Sequence, residues 1–187
     1  MSKRIIVGIS GASGIAYGVR ALELLRDAGV ESHLVVSKSA KLTLHHELDM
    51  SLKDLEALAH VVYPAQDVGA AISSGSFATG GMLIAPCSVR TMSEIATGVT
   101  STLLTRAADV VLKERRRLVL MVRETPLHAG HLRTMTHLAE IGAVIAPPVP
   151  AFYTRPESID EMVTQSVGRA LDLFDLELDS VKRWQGG

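Results

Sequence analysis

The stretch RIIVGISGASG, residues 4–14, decides the fold class of this chain. Its first part, Arg4–Ile9, is almost continuously apolar, which is typical of a strand that is buried on both faces of a sheet. The glycines that follow turn the chain into an amphipathic stretch, which predicts a helix to about Asp27 with Gly29 closing it. A strand, a tight turn and a helix in this order indicate the first unit of a parallel sheet.

The same alternation continues along the chain. Further buried strands are predicted at residues 33–37, 82–86, 118–122 and 143–146. A last helix is predicted after Pro156, because Ser158 and Glu161 have the spacing of a capping box. We therefore predict an α/β fold with a single domain over residues 1–187, built as a three-layer, doubly wound, mostly parallel sheet of the Rossmann-like type.

The composition excludes several classes of protein. Hydrophobic residues make up 47% of the 187 residues and charged residues 21%, as in ordinary globular proteins. The net charge of −1 provides no general attraction to nucleic acid or anionic membranes. A single cysteine, Cys87, excludes an internal disulfide framework and a multi-cysteine zinc site. No apolar run is long enough to span a bilayer or form a secretory signal, so we expect a cytoplasmic protein with no membrane or nucleic-acid partner.

The histidine spacing argues against a metal site. His128 and His131 are three residues apart, and His137 follows six residues after His131. A zinc site on a helix usually needs two histidines four residues apart together with a carboxylate. We expect no metal.

Polar side chains follow the predicted strands where ligands bind in such folds, at the carboxyl ends of the strands. These positions are residues 10–14, 37–38, 86–91, 123–124 and 147–153. We therefore expect the chemistry of the protein to lie at this edge of the sheet.

The glycine-rich turn has the spacing Gly-x-x-Gly-x-x-Gly, whereas dinucleotide-binding turns have G-x-G-x-x-G. Ser37 ends the second strand where a dinucleotide site would carry an acidic residue for the ribose. The pattern therefore favours a mononucleotide, with a phosphate near the start of the first helix. The alternative is a tight turn needed only for packing.

Other polar groups leave more than one interpretation open. Ser88 and Thr91 could bind a ligand or only cap a helix, and Cys87 is more typical of a small buried side chain than of a nucleophile. Arg106 and Lys113 share a helix face, which suits a phosphate but also an ordinary solvated surface. The adjacent Arg123 and Glu124, directly after a buried strand, favour a functional role.

Motifs in a fixed order identify a resemblance to a known family. They are GASG at 11–14, SK at 37–38, Glu47, SGS at 74–76, PCS at 86–88, RAADV at 106–110, KER at 113–115, RETPL at 123–127, PAFY at 150–153, Arg169 and RW at 183–184. With these motifs the chain resembles the UbiX/Pad family of flavin prenyltransferases over essentially its whole length. It is most similar to the branch whose members are named as the second subunit of phenolic acid (hydroxyarylic acid) decarboxylases.

The resemblance implies a reaction and its partners. Members of the family have a flavoprotein fold, bind FMN, and attach the dimethylallyl group of dimethylallyl monophosphate to N5 and then C6 of the flavin, without a metal. The prenylated FMN is handed to a UbiD-type decarboxylase. The family assembles as a dodecamer with sites at subunit interfaces, so Arg106 or Lys113 is expected to act on a ligand held by a neighbouring subunit.

The resemblance also implies residue roles. The expected FMN-binding residues are Gly11, Ala12, Ser13, Ser37, Ser88, Val89, Arg90, Thr91 and Arg123. Proton transfers are expected to involve Glu47, Ser13 and Glu124. The expected contacts of the prenyl substrate are Arg106, Lys113, Tyr153, Arg169, Ser74, Gly75 and Trp184.

Two other functions remain open from the sequence. One is an FMN-dependent cysteine decarboxylase of the related homo-oligomeric fold. Such an enzyme needs no separate site for an allylic phosphate, so the set Arg106, Lys113, Tyr153 and Arg169 argues against it. The other is a non-catalytic flavin-carrier subunit of a phenolic acid decarboxylase, in which Glu124 and Lys113 would be dispensable.

Overall fold

A computed structural model describes residues 4–186, and within that range the chain forms six strands and seven α-helices. The strands are β1 (Arg4–Ile9), β2 (Glu31–Val36), β3 (Val61–Tyr63), β4 (Gly81–Cys87), β5 (Arg117–Val122) and β6 (Ala143–Ile145). The helices are α1 (Ile15–Asp27), α2 (Lys38–Glu47), α3 (Leu52–Glu56), α4 (Val89–Ala96), α5 (Leu103–Lys113), α6 (Ala129–Glu140) and α7 (Ile159–Asp172). Short 3-10 turns occupy Ala71–Ser73 and Phe152–Thr154.

The strands form one sheet in the order β3-β2-β1-β4-β5-β6, and every pairing between them is parallel. The chain order reverses direction between β1 and β4, which is the point of the sheet where such folds open a crevice for a ligand. Helices cover both faces, so the predicted doubly wound α/β fold is confirmed.

The three layers follow from the alternation of side chains along each strand. In β1, Ile5, Val7 and Ile9 face one core with α1, α2, α3 and α7. Ile6 faces the other core, which is packed by α4, α5 and α6. Because both faces of the sheet are covered, its strands are apolar almost throughout.

The first helix ends as its sequence predicts. Gly29 has φ of 65°, in the left-handed region that favours glycine. Its N–H donates to Arg26 O at 3.0 Å, and the N–H of Val30 donates to Leu25 O at 2.9 Å. These two bonds are those of a Schellman motif, which stops α1 and directs the chain into β2.

Some elements differ from the sequence prediction. The strand β3 and the helix α3 were not predicted, because segments of three and five residues are too short to show a period. At the start of α7, Ser158 Oγ accepts from the N–H of Glu161 at 3.1 Å, as predicted. The Glu161 carboxylate instead accepts from the N–H of Glu157 at 3.1 Å, so the capping box is only half formed.

Within residues 4–186, no helix is both long and apolar enough to cross a membrane. In the same range, no cluster of three or more His, Cys, Asp and Glu side chains has the arrangement of a metal site.

Candidate active site

Backbone hydrogen bonds join the carboxyl ends of four strands into one edge. The N–H of Ser37, after β2, donates to Ile9 O at 2.9 Å, and the N–H of Ser10, after β1, donates to Pro86 O at 3.2 Å. The N–H of Arg123, after β5, donates to Cys87 O at 3.0 Å. Four of the five polar segments predicted to share this edge therefore meet there.

A buried hydroxyl fixes the start of α4. Ser10 has no exposed surface, and its Oγ donates to Pro86 O at 2.8 Å while accepting from the N–H of Ser88 at 2.8 Å. This side chain therefore holds the residue before α4 against the end of β1. Ser10 is a positioning residue that was only part of a polar segment in the sequence analysis.

Serine caps begin the helices that follow β2 and β4. Ser37 Oγ accepts from the N–H of Ala40 at 3.1 Å at the start of α2. Ser88 Oγ accepts from the N–H of Thr91 at 3.2 Å at the start of α4. The N–H groups of Val89 and Arg90, first in α4, have no acceptor within the described residues, so they are available to an anion.

A cavity of about 320 Å³ lies between these two caps. Hydroxyl groups and one guanidinium line it together with apolar side chains. Among the residues predicted to bind the cofactor, Ser37, Ser88, Arg90 and Thr91 line this cavity. The lining also includes residues that the sequence analysis missed, which are Ser39, Gln66, Glu94, Thr102 and Thr105.

Gly11 is required by close packing at the wall of this crevice. A Cβ atom on Gly11 would lie 2.4 Å from Ser39 Oγ and 2.5 Å from Ser39 Cβ. The turn after β1 therefore lies against the start of α2 with no room for a side chain. The packing interpretation and the binding interpretation of this glycine are compatible.

The start of α1 is occupied by a carboxylate of the chain itself. Glu47 accepts from the N–H of Gly14 at 2.8 Å and from the N–H of Ile15 at 2.9 Å. This overturns the expectation of a phosphate at the N-terminus of α1. The Glu47 carboxylate already accepts the hydrogen bonds of these two N–H groups and places its negative charge at the positive end of the helix dipole. The free N–H groups at the start of α4 suit a phosphate better.

The environment of Glu47 keeps its carboxyl group ionised. Partial burial alone would raise its pKa, but a hydrogen bond from the Ser13 side chain, those from Ile15 and Gly14, and the charge of Arg123 together lower the pKa below its ordinary value. Two predicted proton-transfer residues, Ser13 and Glu47, thus lie side by side and within electrostatic reach of Arg123.

Glu124 is half-buried in the loop after β5, and its Oε1 accepts from the N–H of Thr125 at 3.0 Å. The adjacent Arg123 side chain is exposed at the same edge. Cys87 is fully buried, and burial raises the pKa of its thiol to about 12. That thiol is a packing group, in line with the preferred interpretation of its sequence context.

Three of the residues predicted to bind the prenyl substrate lie at the opposite edge of the sheet. Lys113 ends α5, four residues before β5 begins, and pairs with Glu114. A Cβ atom on Gly75 would lie 2.9 Å from Lys113 Nζ, so residues 74–75 are at this edge too. A strand of six residues, such as β5, spans about 20 Å, so within one chain this group does not meet Glu124.

Arg106 is near the start of α5, one residue after Thr105 of the cavity, and pairs with Asp109 at 2.8 Å. Tyr153 follows β6, and its ring meets the Trp184 ring edge-on with 5.7 Å between centroids. Arg169, on α7, is 56% exposed and pairs with Asp172. Tyr153 and Trp184 are therefore brought together, whereas Arg106 and Lys113 stay apart on their helix.

Comparison with known proteins identifies the family of this chain. The sequence model of the family described as Flavoprotein matches residues 1–170. The flavin prenyltransferase UbiX of Escherichia coli (strain K12) is 62% identical over 187 residues, covering 98% of this chain and 99% of that protein.

Two solved structures have the same fold. A crystal structure of AnUbiX (PadA1) in complex with FMN and dimethylallyl pyrophosphate has a TM-score of 0.98 and 48% identity and covers 100% of both chains. A dodecameric FMN-dependent UbiX-like decarboxylase from Escherichia coli O157:H7 has a TM-score of 0.95 and 48% identity, covering 98% of this chain and 100% of that one.

Proposed function

The chain belongs to the UbiX flavin prenyltransferases of the Flavoprotein family, and we propose that it joins the dimethylallyl group of dimethylallyl monophosphate to N5 and C6 of reduced FMN. The product, prenylated FMN, serves a UbiD-type aromatic acid decarboxylase. One observation carries the assignment of the site: the hydroxyl-lined cavity and the ionised Glu47 lie at the same edge of the sheet, on either side of the Gly11 turn.

The residues at this edge fit a flavin mononucleotide. The start of α4, with Ser88 to Thr91, offers N–H and hydroxyl groups to a phosphate. Arg90 is mostly exposed there and pairs with Glu94 at 2.9 Å, which leaves its other guanidinium N–H groups to contact the ligand. Ser37 offers a further hydroxyl from the other wall of the cavity. Gly11, Ala12, Ser13 and Arg123 supply the remaining contacts along the turn after β1 and the end of β5.

Three side chains handle protons in this proposal. When bound, reduced FMN supplies the nucleophilic N5 and C6 atoms, and each of them loses a proton as a carbon–nitrogen or carbon–carbon bond forms. Glu47 stays ionised and accepts a hydrogen bond from Ser13, so in this proposal it takes part in proton transfer by orienting the Ser13 hydroxyl, which can pass a proton on. Glu124, next to Arg123 in the sequence, is half-buried, and its carboxyl group can return a proton to the prenyl chain in this proposal.

A second group receives the prenyl phosphate. Tyr153 and Trp184 offer aromatic faces to an allylic group that becomes positively charged as the phosphate leaves. Arg169, whose side chain is 56% exposed and pairs with Asp172, is suited to bind the phosphate and stabilise its negative charge.

Lys113, Ser74, Gly75 and Arg106 complete a neighbouring subunit's site in this proposal, within a homo-oligomer that we expect to be a dodecamer. For Lys113, Ser74 and Gly75, the distance from Glu124 within one chain supports this assignment, since a cation at the opposite edge of the sheet is too far from the chain's own ligand. The dodecameric relative shows that a closely similar chain assembles in this number.

A thermal shift experiment tests the proposal. Dimethylallyl monophosphate added to the FMN-loaded protein should raise the melting temperature, because a ligand at 100 times its Kd stabilises the native state by about 2.7 kcal/mol. Arg169→Ala should lose this increment but keep the increment that FMN gives. Arg133→Ala, an exposed arginine on α6, is the matched control and should keep both.

The outcomes also separate the alternatives. Absence of any increment from the prenyl phosphate, with FMN bound, would contradict the proposal and favour a flavin carrier. An increment from a peptide with a C-terminal cysteine instead would favour the cysteine decarboxylase. A full increment in Arg169→Ala would place the phosphate elsewhere.

A further inference from the structure

The last residues of the chain lie along one face of α7. Gln165, only 5% exposed, clamps the backbone of Lys182: its Nε2 donates to Lys182 O at 2.9 Å and its Oε1 accepts from the N–H of Lys182 at 3.0 Å. Val181 is buried against Gly168, where a Cβ atom would lie 2.3 Å from Val181 Cγ2. We call residues 178–186 the terminal segment.

A single carboxylate fastens the end of this segment. Asp172, the last residue of α7, accepts two hydrogen bonds from Arg183, from Nη2 to Oδ1 at 2.9 Å and from Nη1 to Oδ2 at 3.0 Å. Arg169 donates from Nη1 to the same Oδ2. Gln165, Arg169 and Asp172 are four and three residues apart, so they share one face of the helix.

Because of its position, the Asp172 carboxylate needs its two arginine partners to be stable there. A carboxylate in the last turn of a helix opposes the helix dipole, and the Asp172 side chain is only 14% exposed. The guanidinium groups of Arg169 and Arg183 offset the unfavourable helix dipole and the partial burial of the charge. The two parallel hydrogen bonds from Arg183 also fix the direction of the terminal segment. The hydrogen bonds to Asp172, together with its charge, in turn raise the pKa of Arg183.

The same contacts set the position of two aromatic rings. Trp184 follows Arg183 directly and packs edge-on against Tyr153. The Tyr153 hydroxyl donates to Lys182 O at 3.4 Å, which is the carbonyl that Gln165 also holds. Asp172 thus bonds both to Arg169 and to Arg183, the residue before Trp184, and so links the arginine to the aromatic pair that we assign to the prenyl substrate.

We infer that Asp172 is a positioning residue for the prenyl-phosphate half of the site: its carboxylate orients the Arg169 guanidinium and, through Arg183, docks the terminal segment so that Trp184 lies against Tyr153. The inference rests on the proposed function for the roles of Arg169, Tyr153 and Trp184. Asp172 itself touches no substrate in this proposal.

The test uses the fact that Trp184 is the only tryptophan of the chain. Its fluorescence anisotropy, measured on the purified protein before flavin is added, reports the mobility of the terminal segment without any substrate. Asp172→Asn keeps the size of the side chain and removes its charge, so the anisotropy should fall. Asp179→Asn, an exposed carboxylate of the same segment, is the control and should leave it unchanged.

The same variants are then compared in turnover. In Asp172→Asn we expect the KM for dimethylallyl monophosphate to rise about tenfold, as for the loss of a charge-assisted hydrogen bond. The Kd for FMN should stay as it is. Arg183→Gln should lower the anisotropy to the same extent but raise KM less, because Asp172 still orients Arg169; adding Asp172→Asn to it should lower the anisotropy no further.

Unchanged anisotropy in Asp172→Asn, whatever its KM, would overturn the inference, and so would an unchanged KM in an active enzyme. A fall in anisotropy with the expected rise in KM supports it. If the unaltered chain shows no turnover with the prenyl phosphate, the proposed function fails, and the anisotropy still decides whether Asp172 docks the segment.

Discussion

Ser10 uses both hydrogen-bonding capacities of its hydroxyl between two strand ends, donating to Pro86 O and accepting from the N–H of Ser88. Neither bond is a ligand contact, yet the two together place the helix start that we assign to the FMN phosphate. At the scale of single residues, the site depends on such buried groups as much as on the side chains that line it.

Ser10→Ala should weaken FMN binding as well as the fold. The N–H of Ser88 would lose its acceptor at a half-buried position, which costs about 1–3 kcal/mol. We expect a lower melting temperature and a Kd for FMN raised by about tenfold, measured by flavin fluorescence quenching.

The matched control is Ser32→Ala. Ser32 is equally buried, and its hydroxyl pairs with His60 from the amino end of β2, far from the cavity. This variant should lose stability without a change in the Kd for FMN. Equal effects of the two variants on FMN binding would show that Ser10 acts only through general stability.

Glu47 illustrates what the sequence could not predict about single residues. Its partners Gly14 and Ile15 are more than 30 residues away in the sequence. Only the parallel packing of β1 beside β2 brings the end of α2 to the start of α1. No local pattern carries that information, so the expectation of a phosphate there was wrong.

At the scale of elements, the edge strand β3 depends on a buried histidine of β2. His33 is 3% exposed; its Nδ1 lies 3.0 Å from the Tyr63 hydroxyl and its Nε2 lies 3.0 Å from Glu31 Oε1. Burial lowers the pKa of His33 below its ordinary value, although the hydrogen bond with Glu31 opposes this.

This histidine makes the fold sensitive to mild acid. The unfolded chain takes up a proton on His33 below pH about 6.5, whereas the folded chain resists it, so the free energy of unfolding should fall as the pH is lowered from 7 through that range. The lowered pKa values of Glu31 and Glu47 add their own loss only below about pH 4.5, where carboxyl groups of the unfolded chain take up protons.

Urea unfolding at pH 7.0 and 5.5 measures the effect. His33→Gln should show a smaller change in midpoint between the two pH values than the unaltered chain. His137→Gln, an exposed histidine of α6, serves as the control and should show the full change. An equal change in all three proteins would remove His33 from the explanation.

The elements differ in how well the sequence predicts them. Strands such as Arg4–Ile9 and Arg117–Val122 are buried on both faces of the sheet, and their nearly continuous apolar sequence predicts this. The strand β3 has only three residues, none fully buried, and its pairing with β2 depends on His33 and Tyr63. Its stability comes from a tertiary contact, which explains why periodicity failed to predict it.

At the scale of the whole molecule, the residues assigned to one reaction lie at two edges of the sheet. The flavin residues and Glu124 are at the carboxyl edge, whereas Lys113 and Gly75 are at the amino edge. The shared site between subunits that we propose would reconcile the two groups. The sequence could not show this separation, because Arg106 and Lys113 share a face of one helix.

Mixing two inactive variants tests the shared site. If Lys113 serves a neighbouring subunit, chains with Lys113→Met and chains with Glu124→Gln, co-expressed in equal amounts, should form about a quarter of sites with both residues intact. Prenylation should then recover partly. Ser13→Ala mixed with Glu124→Gln is the control and should not recover, since both residues belong to one chain's crevice. No recovery in the first mixture would place Lys113 in the site of its own chain or outside the site.

The central claim is the transfer of a prenyl group to FMN, and the mass of the flavin tests it most directly. Purified protein is mixed with reduced FMN and dimethylallyl monophosphate without oxygen, and the released flavin is weighed by mass spectrometry. We predict a gain of one dimethylallyl unit. Unmodified flavin, recovered from protein that is shown to bind FMN, would contradict the claim.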